Sequence, residues 1–111
     1  VGVWITGAGA TGNRLFGNYF GVQPGSTSSF TNQRGIQIDN GASANIIGGA
    51  LGEPTQRNII AGNNFSGVFI SGANGNFVRG NYIGLTLDAG GAVAALGNNG
   101  PGIEISESTT N

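Results

Sequence analysis

The stretch "GVFISGANGNFVRGNYIG", residues 67–84, lays over "GVWITGAGATGNRLFGNYFG", residues 2–21. Both run G-Φ-x-I, then an asparagine opening N-x-Φ-x-G, then G-N-Y-Φ-G, where Φ is apolar and is Val or Ile in G-Φ-x-I. The earlier copy carries Gly7-Ala8-Gly9-Ala10-Thr11-Gly12, a formal G-x-G-x-x-G fingerprint, and the later copy does not. A dinucleotide cradle needs a helix after the glycines, so that its N-terminus faces the pyrophosphate, and an acidic residue roughly 20 positions on. Here the glycines lead into another strand-like run, and Asn32 and Gln33 stand near the acidic position, with Asp39 already in the next repeat. The fingerprint is therefore read as a glycine-rich turn inside a repeat.

Working outward, G-Φ-x-I occurs four times: Gly2-Val3-Trp4-Ile5, Gly35-Ile36-Gln37-Ile38, Gly67-Val68-Phe69-Ile70 and Gly102-Ile103-Glu104-Ile105. The N-x-Φ-x-G element follows the first three, at Asn13–Gly17, Asn45–Gly49 and Asn76–Gly80, and appears again at Asn58–Gly62. Short apolar alternations bounded by Gly, Asn or Ser read as strands of a few residues with turn chemistry at both ends. One such unit cannot bury its apolar side, whereas stacked units can, which is the logic of a solenoid. Val3, Ile36, Val68 and Ile103 form one expected ladder; Ile5, Ile38, Ile70 and Ile105 a second; Leu15, Ile47 and Val78 a third. Asn13, Asn45 and Asn76 form an expected structural Asn ladder, each amide donating to one coil and accepting from the next. A minor alternative takes Asn40-Gly41, Asn74-Gly75 and Asn99-Gly100 as hairpin turns of an antiparallel sandwich; the parallel ladders argue against it.

These motifs resemble the right-handed parallel β-helix repeats of the pectin-lyase-like group. They are most similar to the Asn- and Gly-rich repeats of large bacterial secreted and surface proteins. The resemblance covers residues 2–105 and is specific for fold rather than activity, since these repeats serve enzymes, adhesins and scaffolds alike. Leu85-Thr86 departs from the pattern, in which Thr directly follows "YIG". The resemblance implies an all-β solenoid of about three and a half coils, three short strands per coil. The strands fall at 3–5, 14–16 and 19–22, then 36–38, 46–48 and 58–61, then 68–70, 77–79 and 82–85. Residues 1–111 are expected to form one domain or segment, with coils at about 2–34, 35–66 and 67–101 and a partial coil at 102–111. Loops 22–34, 50–57 and 86–101 are expected to bulge from one corner. No cap is evident: the first coil starts directly with strand residues, and the last is expected to dissolve into "SESTTN". The chain accordingly reads as a mature product, an excised piece of a longer β-helix, or a unit that stacks end to end.

Composition narrows the chemistry. The chain has 111 residues with no His and no Cys, which removes thiolate chemistry, the usual zinc sites and every Ser-His-Asp or Cys-His arrangement. Its four cations, Arg14, Arg34, Arg57 and Arg79, are scattered and the net charge is −1, so nucleic-acid partners are disfavoured. No apolar run approaches the ~20 residues of a membrane span. The acids are Asp39, Glu53, Asp88, Glu104 and Glu107. Only Asp39 and Glu104 lie near one sheet, with Phe69 in the layer between them, and none sits beside an Arg as a calcium-dependent lyase site requires. Asp88-Ala89-Gly90-Gly91 is not a calcium-binding nonapeptide, Ser and Thr form no ice-binding T-x-T array, and Asn64-Phe65-Ser66 is a lone glycosylation triplet. No catalytic residue, metal or cofactor is expected. The outward positions of the first three G-Φ-x-I copies, Trp4, Gln37 and Phe69, pair aromatic faces with an amide, which suits stacking on sugar rings. Tyr19 and Tyr82 read as turn-packing residues.

The expectation is a non-enzymatic structural or interaction module of an extracellular or cell-surface protein, of bacterial type. Its partners are other copies of itself or flanking coils. The alternative is a carbohydrate-binding segment of a polysaccharide-active β-helix protein.

Overall fold

The computed structural model describes residues 1–50 and 52–111. Its first turn contains β1 (Val3–Thr6), β2 (Arg14–Leu15) and β3 (Tyr19–Phe20). The second contains β4 (Ile36–Asp39), β5 (Ile46–Ile47) and β6 (Ile59–Ile60). The third has β7 (Val68–Ser71), β8 (Phe77–Val78) and β9 (Tyr82–Ile83). A hairpin follows, β10 (Leu85–Leu87) and β11 (Val93–Ala95), before β12 (Ile103–Ser106) opens the next turn. Corresponding strands stack in parallel into sheets ordered β1-β4-β7-β12, β2-β5-β8 and β3-β6-β9. The chain is an all-β parallel solenoid of about three turns.

The repeat register holds residue for residue. Val3 pairs with Ile36, Ile36 with Val68, and Val68 with Ile103; Ile5, Ile38, Ile70 and Ile105 pair likewise, as do Leu15, Ile47 and Val78. Alternation along each strand sends these side chains inward. Phe20, Ile60 and Ile83 supply the fourth inward ladder from the third sheet. Ile36, Ile38, Ile47, Ile60, Val68 and Ile70 are fully enclosed, each contributing about 1.5–3 kcal/mol of burial relative to exposure. At the β12 end the same ladders run out, leaving Ile103 42% and Ile105 49% exposed.

Tight corners bring backbones together. Gly48 turns the chain after β5 at φ +89°, and a Cβ there would sit on the Arg79 carbonyl and the Asn81 side chain of the next coil. The glycine is required twice over, for its left-handed backbone and for this close approach.

Several expectations change. The excursions leave from two corners rather than one: 22–34 and 84–102 separate a third strand from the next first strand, whereas 48–58 separates β5 from β6 and carries a 3-10 turn, Pro54–Gln56. Position 51 of the expected 50–57 loop lies outside the described residues. The expected loop 86–101 holds most of the antiparallel pair β10–β11, closed by Asp88, whose side chain accepts from the Gly90 and Ala92 N–H groups. Leu-Thr-Leu and Val-Ala-Ala alternate across this turn, so the hairpin presents Thr86 inward, where its hydroxyl donates to the Ser26 carbonyl at 3.1 Å. The two excursions thereby close over the outer face of the third sheet. Val22, Ile59 and Ala61 are buried there beside Tyr19, Tyr82 and Leu96, a second apolar cluster outside the coil.

The tail does not dissolve into "SESTTN". It follows the previous coil through side chains: Ser108 Oγ accepts from Ala73 N–H, Thr110 Oγ1 from Gly75 N–H, and Asn111 Oδ1 from Asn76 N–H.

Candidate functional site

The broad outer face of the four-stranded sheet carries two columns. Parallel register puts Trp4, Gln37, Phe69 and Glu104 in one, and Thr6, Asp39, Ser71 and Ser106 in the other. Neighbouring residues in a column are about 4.8 Å apart, the spacing of adjacent strands. The expected trio Trp4, Gln37 and Phe69 therefore lies together on one face. Trp4 is 58% exposed, while Gln37 and Phe69 are half-buried.

The geometry adds two residues to the trio. Asp39 Oδ2 accepts from Trp4 Nε1 at 2.9 Å and from Gln37 Nε2 at 2.6 Å. Gln37 Oε1 in turn accepts from an Arg34 guanidinium N–H at 3.4 Å, and that guanidinium lies 4.2 Å above the Phe69 ring centroid. Arg34, Gln37, Asp39 and Trp4 form one relay. Desolvation pushes the Asp39 carboxyl up, but the neighbouring Thr6 hydroxyl and the Gln37 and Trp4 donors outweigh it and hold its pKa below the ordinary 3.8. The geometry shows no hydrogen bond at Asp39 Oδ1, which is buried without a partner, as is Arg34 Nε.

Asp39 is the last residue of β4 rather than a residue following it. The period of two that sends Gln37 outward sends Asp39 outward as well, so this partner was legible in the sequence. Arg34 was not, because nothing about a residue before the repeat glycine says that it folds back over Phe69. The relay places an exposed indole beside an amide, both held by a buried carboxylate.

A second set of functional groups stands at the corners. Asn45 Oδ1 accepts from Asn13 Nδ2 at 2.8 Å, and Asn45 Nδ2 donates to Asn76 Oδ1 at 2.9 Å, which is the expected ladder. Two more ladders accompany it. Asn18, Asn58 and Asn81 are joined at 3.1 and 2.9 Å, and Asn32, Asn63 and Asn98 at 3.4 and 2.8 Å. Each interior rung also donates to a carbonyl of the preceding coil: Asn45 to Ala10, Asn58 to Leu15, Asn63 to Phe20. Three corners of the coil are thus each sewn by asparagine.

Two hollows remain. One of about 470 Å³ opens at the β1 end against Val3, Ile5, Ala10 and Leu15, the unroofed mouth of the solenoid interior. The other, about 150 Å³, lies beside Tyr19, Pro54, Arg57 and Leu87, where the Arg57 guanidinium stacks 3.9 Å from the Tyr82 ring centroid. Among the described residues no three His, Cys, Asp or Glu side chains gather into a metal-ion site, and no helix is long and apolar enough to cross a membrane.

Compared with known proteins, the chain matches no family model, no curated protein and no solved structure.

Proposed function

We propose that this chain is a structural and interaction module of an extracellular or cell-surface protein, a rigid rod segment that works by coil stacking and self-association rather than by turnover. The observation that carries the reading is the sameness of the contact between coils. The same strand register and the same asparagine exchange recur from the first turn to the third, so every coil is built to receive another like it. The outermost strands β1 and β12 each leave one edge unpaired, and an unpaired parallel edge is a template for a further strand. The likeness of the motifs to Asn- and Gly-rich pectin-lyase-like repeats is what supports the secreted, bacterial setting.

The test is sedimentation of the purified chain across a concentration series, with negative-stain microscopy of the same samples. The reading expects assemblies of uniform width that grow with concentration. A monomer at every concentration would remove self-association from it.

A second reading is favoured by one observation, the exposed Trp4 ring fixed edge-on to Asp39. It makes the Trp4–Gln37–Phe69 face a carbohydrate-binding surface. Trp4 is the single tryptophan, so its fluorescence reports on that face alone. Saturable quenching by an oligosaccharide, abolished in Gln37→Ala, is the expected result; no response to a broad glycan panel would sink this reading.

A further inference from the structure

The three asparagine ladders have a direction. In six steps the amide nitrogen of the earlier coil donates to the amide oxygen of the later one: Asn13 to Asn45 to Asn76, Asn18 to Asn58 to Asn81, Asn32 to Asn63 to Asn98. The two ends of the solenoid are therefore chemically different. Among the described residues, Asn13, Asn18 and Asn32 accept no hydrogen bond at Oδ1, so the β1 end presents three amide oxygens, together with the second Nδ2–H of Asn13 and of Asn32, which interior rungs give to a carbonyl of the preceding coil. At the far end and among the described residues, Asn81, Asn98 and Asn111 each donate once from Nδ2, to the Ile47, Ile60 and Ala73 carbonyls, and each keeps a second N–H of the kind that Asn45, Asn58 and Asn63 spend on the next rung; at the Asn76–Asn111 step only the Asn76 backbone N–H reaches the next oxygen, its side chain giving to the Ala42 and Asn74 carbonyls.

The backbone edges agree. Val3 and Gly7 donate to the Gly35 and Asp39 carbonyls, so alternation turns the Trp4 and Thr6 N–H groups to the open side of β1. Gly102 and Ser106 carbonyls accept from Val68 and Gly72, leaving the backbone of Ile103 and Ile105 facing the open side of β12. The two free edges run in the same chain direction and around the same aliphatic interior, with Ile103 and Ile105 exposed over one mouth and a hollow beside Val3 and Ile5 at the other.

We infer that the β1 end takes the β12 end of a second copy of this chain, and neither end takes its own kind. Two β1 ends brought together would set six open amide oxygens against only four open amide N–H groups at the corners. Two β12 ends would bring side-chain N–H groups together while the Oδ1 atoms of Asn81, Asn98 and Asn111 are already engaged within each chain. Such buried unpaired polar groups are strongly unfavourable, whereas opposite ends satisfy one another. Assembly is consequently heterologous and open, giving rods rather than two-fold dimers. This inference rests on the self-association proposed above and fixes its polarity.

A complementation experiment separates the possibilities without assuming any rotation between copies. Thr6→Pro blocks the β1 edge and Ile105→Pro the β12 edge, each removing an N–H that faces outward rather than one bonded within the chain. Far-UV circular dichroism checks that both variants fold, and Val3→Arg with Ile103→Arg serves as a second pair if a proline variant does not. Sedimentation equilibrium is then run on wild type, on each variant and on a 1:1 mixture. Polar stacking gives large wild-type assemblies, two monomeric variants, and a mixture that forms dimers of twice the monomer mass and nothing larger. Variants that still dimerise alone, through their intact ends, would overturn the polarity while leaving self-association standing. A wild type that stays monomeric throughout would overturn both, assigning the open edges to flanking coils.

Discussion

Asn45 binds Asn76 twice: its backbone N–H and its side-chain amide donate to the same Oδ1, at 3.1 and 2.9 Å. Asn45 Oδ1 receives the equivalent pair from Asn13, and both Asn45 and Asn76 are buried. Asparagine is the residue that can accept from one neighbour and donate to the other while its own backbone continues the turn. Asn45→Ala removes the acceptor of both Asn13 donors and the donor to the Ala10 carbonyl and the buried Asn76 Oδ1, and is expected to cost about 3 kcal/mol of unfolding free energy. Asn45→Asp preserves shape but points a carboxylate at the Asn76 oxygen, so at pH 7 it should cost at least as much as alanine. Urea unfolding of the two variants decides the point; a milder aspartate variant would mean that the Asn45 donor is idle.

The Trp4–Asp39 contact has a pH signature. With its pKa held below the usual 3.8, the folded chain binds a proton at Asp39 less readily than the unfolded chain does. The stability this contributes is complete above the unfolded pKa of about 4 and is lost as pH falls from there through the lower folded pKa. In a series of unfolding midpoints from pH 6 down to pH 2.5, Asp39→Asn should show a shallower acid decline than wild type. Parallel declines would show that the Trp4 and Gln37 donors do not discriminate between the two forms of the carboxyl.

Much of this architecture was readable before any coordinates because the strands recur at nearly constant spacing, and G-Φ-x-I needs no insertion to align. The ladder of Asn13, Asn45 and Asn76 was visible for the same reason, each residue opening the same five-residue element. The other two ladders were masked by excursions of unequal length. Asn18 and Asn81 follow their first-ladder partners by five residues, whereas Asn58 follows Asn45 by thirteen, across the turn at Pro54–Gln56. The tail was misread because its pairing runs through Ser108, Thr110 and Asn111 side chains, which leave no apolar alternation to detect. The relay from Arg34 to Trp4 depends on tertiary folding of a long side chain over Phe69, and residue order alone does not encode it.

Ile38 and Ile105 occupy the same ladder, yet one is fully enclosed and the other is 49% exposed. In an isolated chain Ile38→Ala should cost about 2–5 kcal/mol, as a cavity between coils cannot collapse without breaking strand register. Ile105→Ala should cost well under that at low protein concentration. If its cost rises with concentration, the β12 end is being covered by another molecule; a cost equal to that of Ile38→Ala even at high dilution would mean that this end is covered within one chain.

Gly7 and Gly48 share a left-handed backbone, φ +92° and +89°, but not a neighbourhood. Nothing lies within 4 Å of a Cβ placed on Gly7, whereas one on Gly48 meets the Arg79 carbonyl and the Asn81 side chain. Alanine at Gly7 therefore incurs only the conformational cost of a left-handed residue, about 1–2 kcal/mol. Alanine at Gly48 adds displacement of a neighbouring coil and should disrupt the Asn58–Asn81 rung with it. Thermal unfolding of the two variants should separate clearly, with Gly48→Ala markedly less stable. This contrast also bears on the glycine fingerprint at 7–12. The Gly7 turn faces open space and leads into β2, so its glycines serve the bend between two strands. A Gly7→Ala chain as unstable as Gly48→Ala would require a packed partner at that turn and would reopen its assignment.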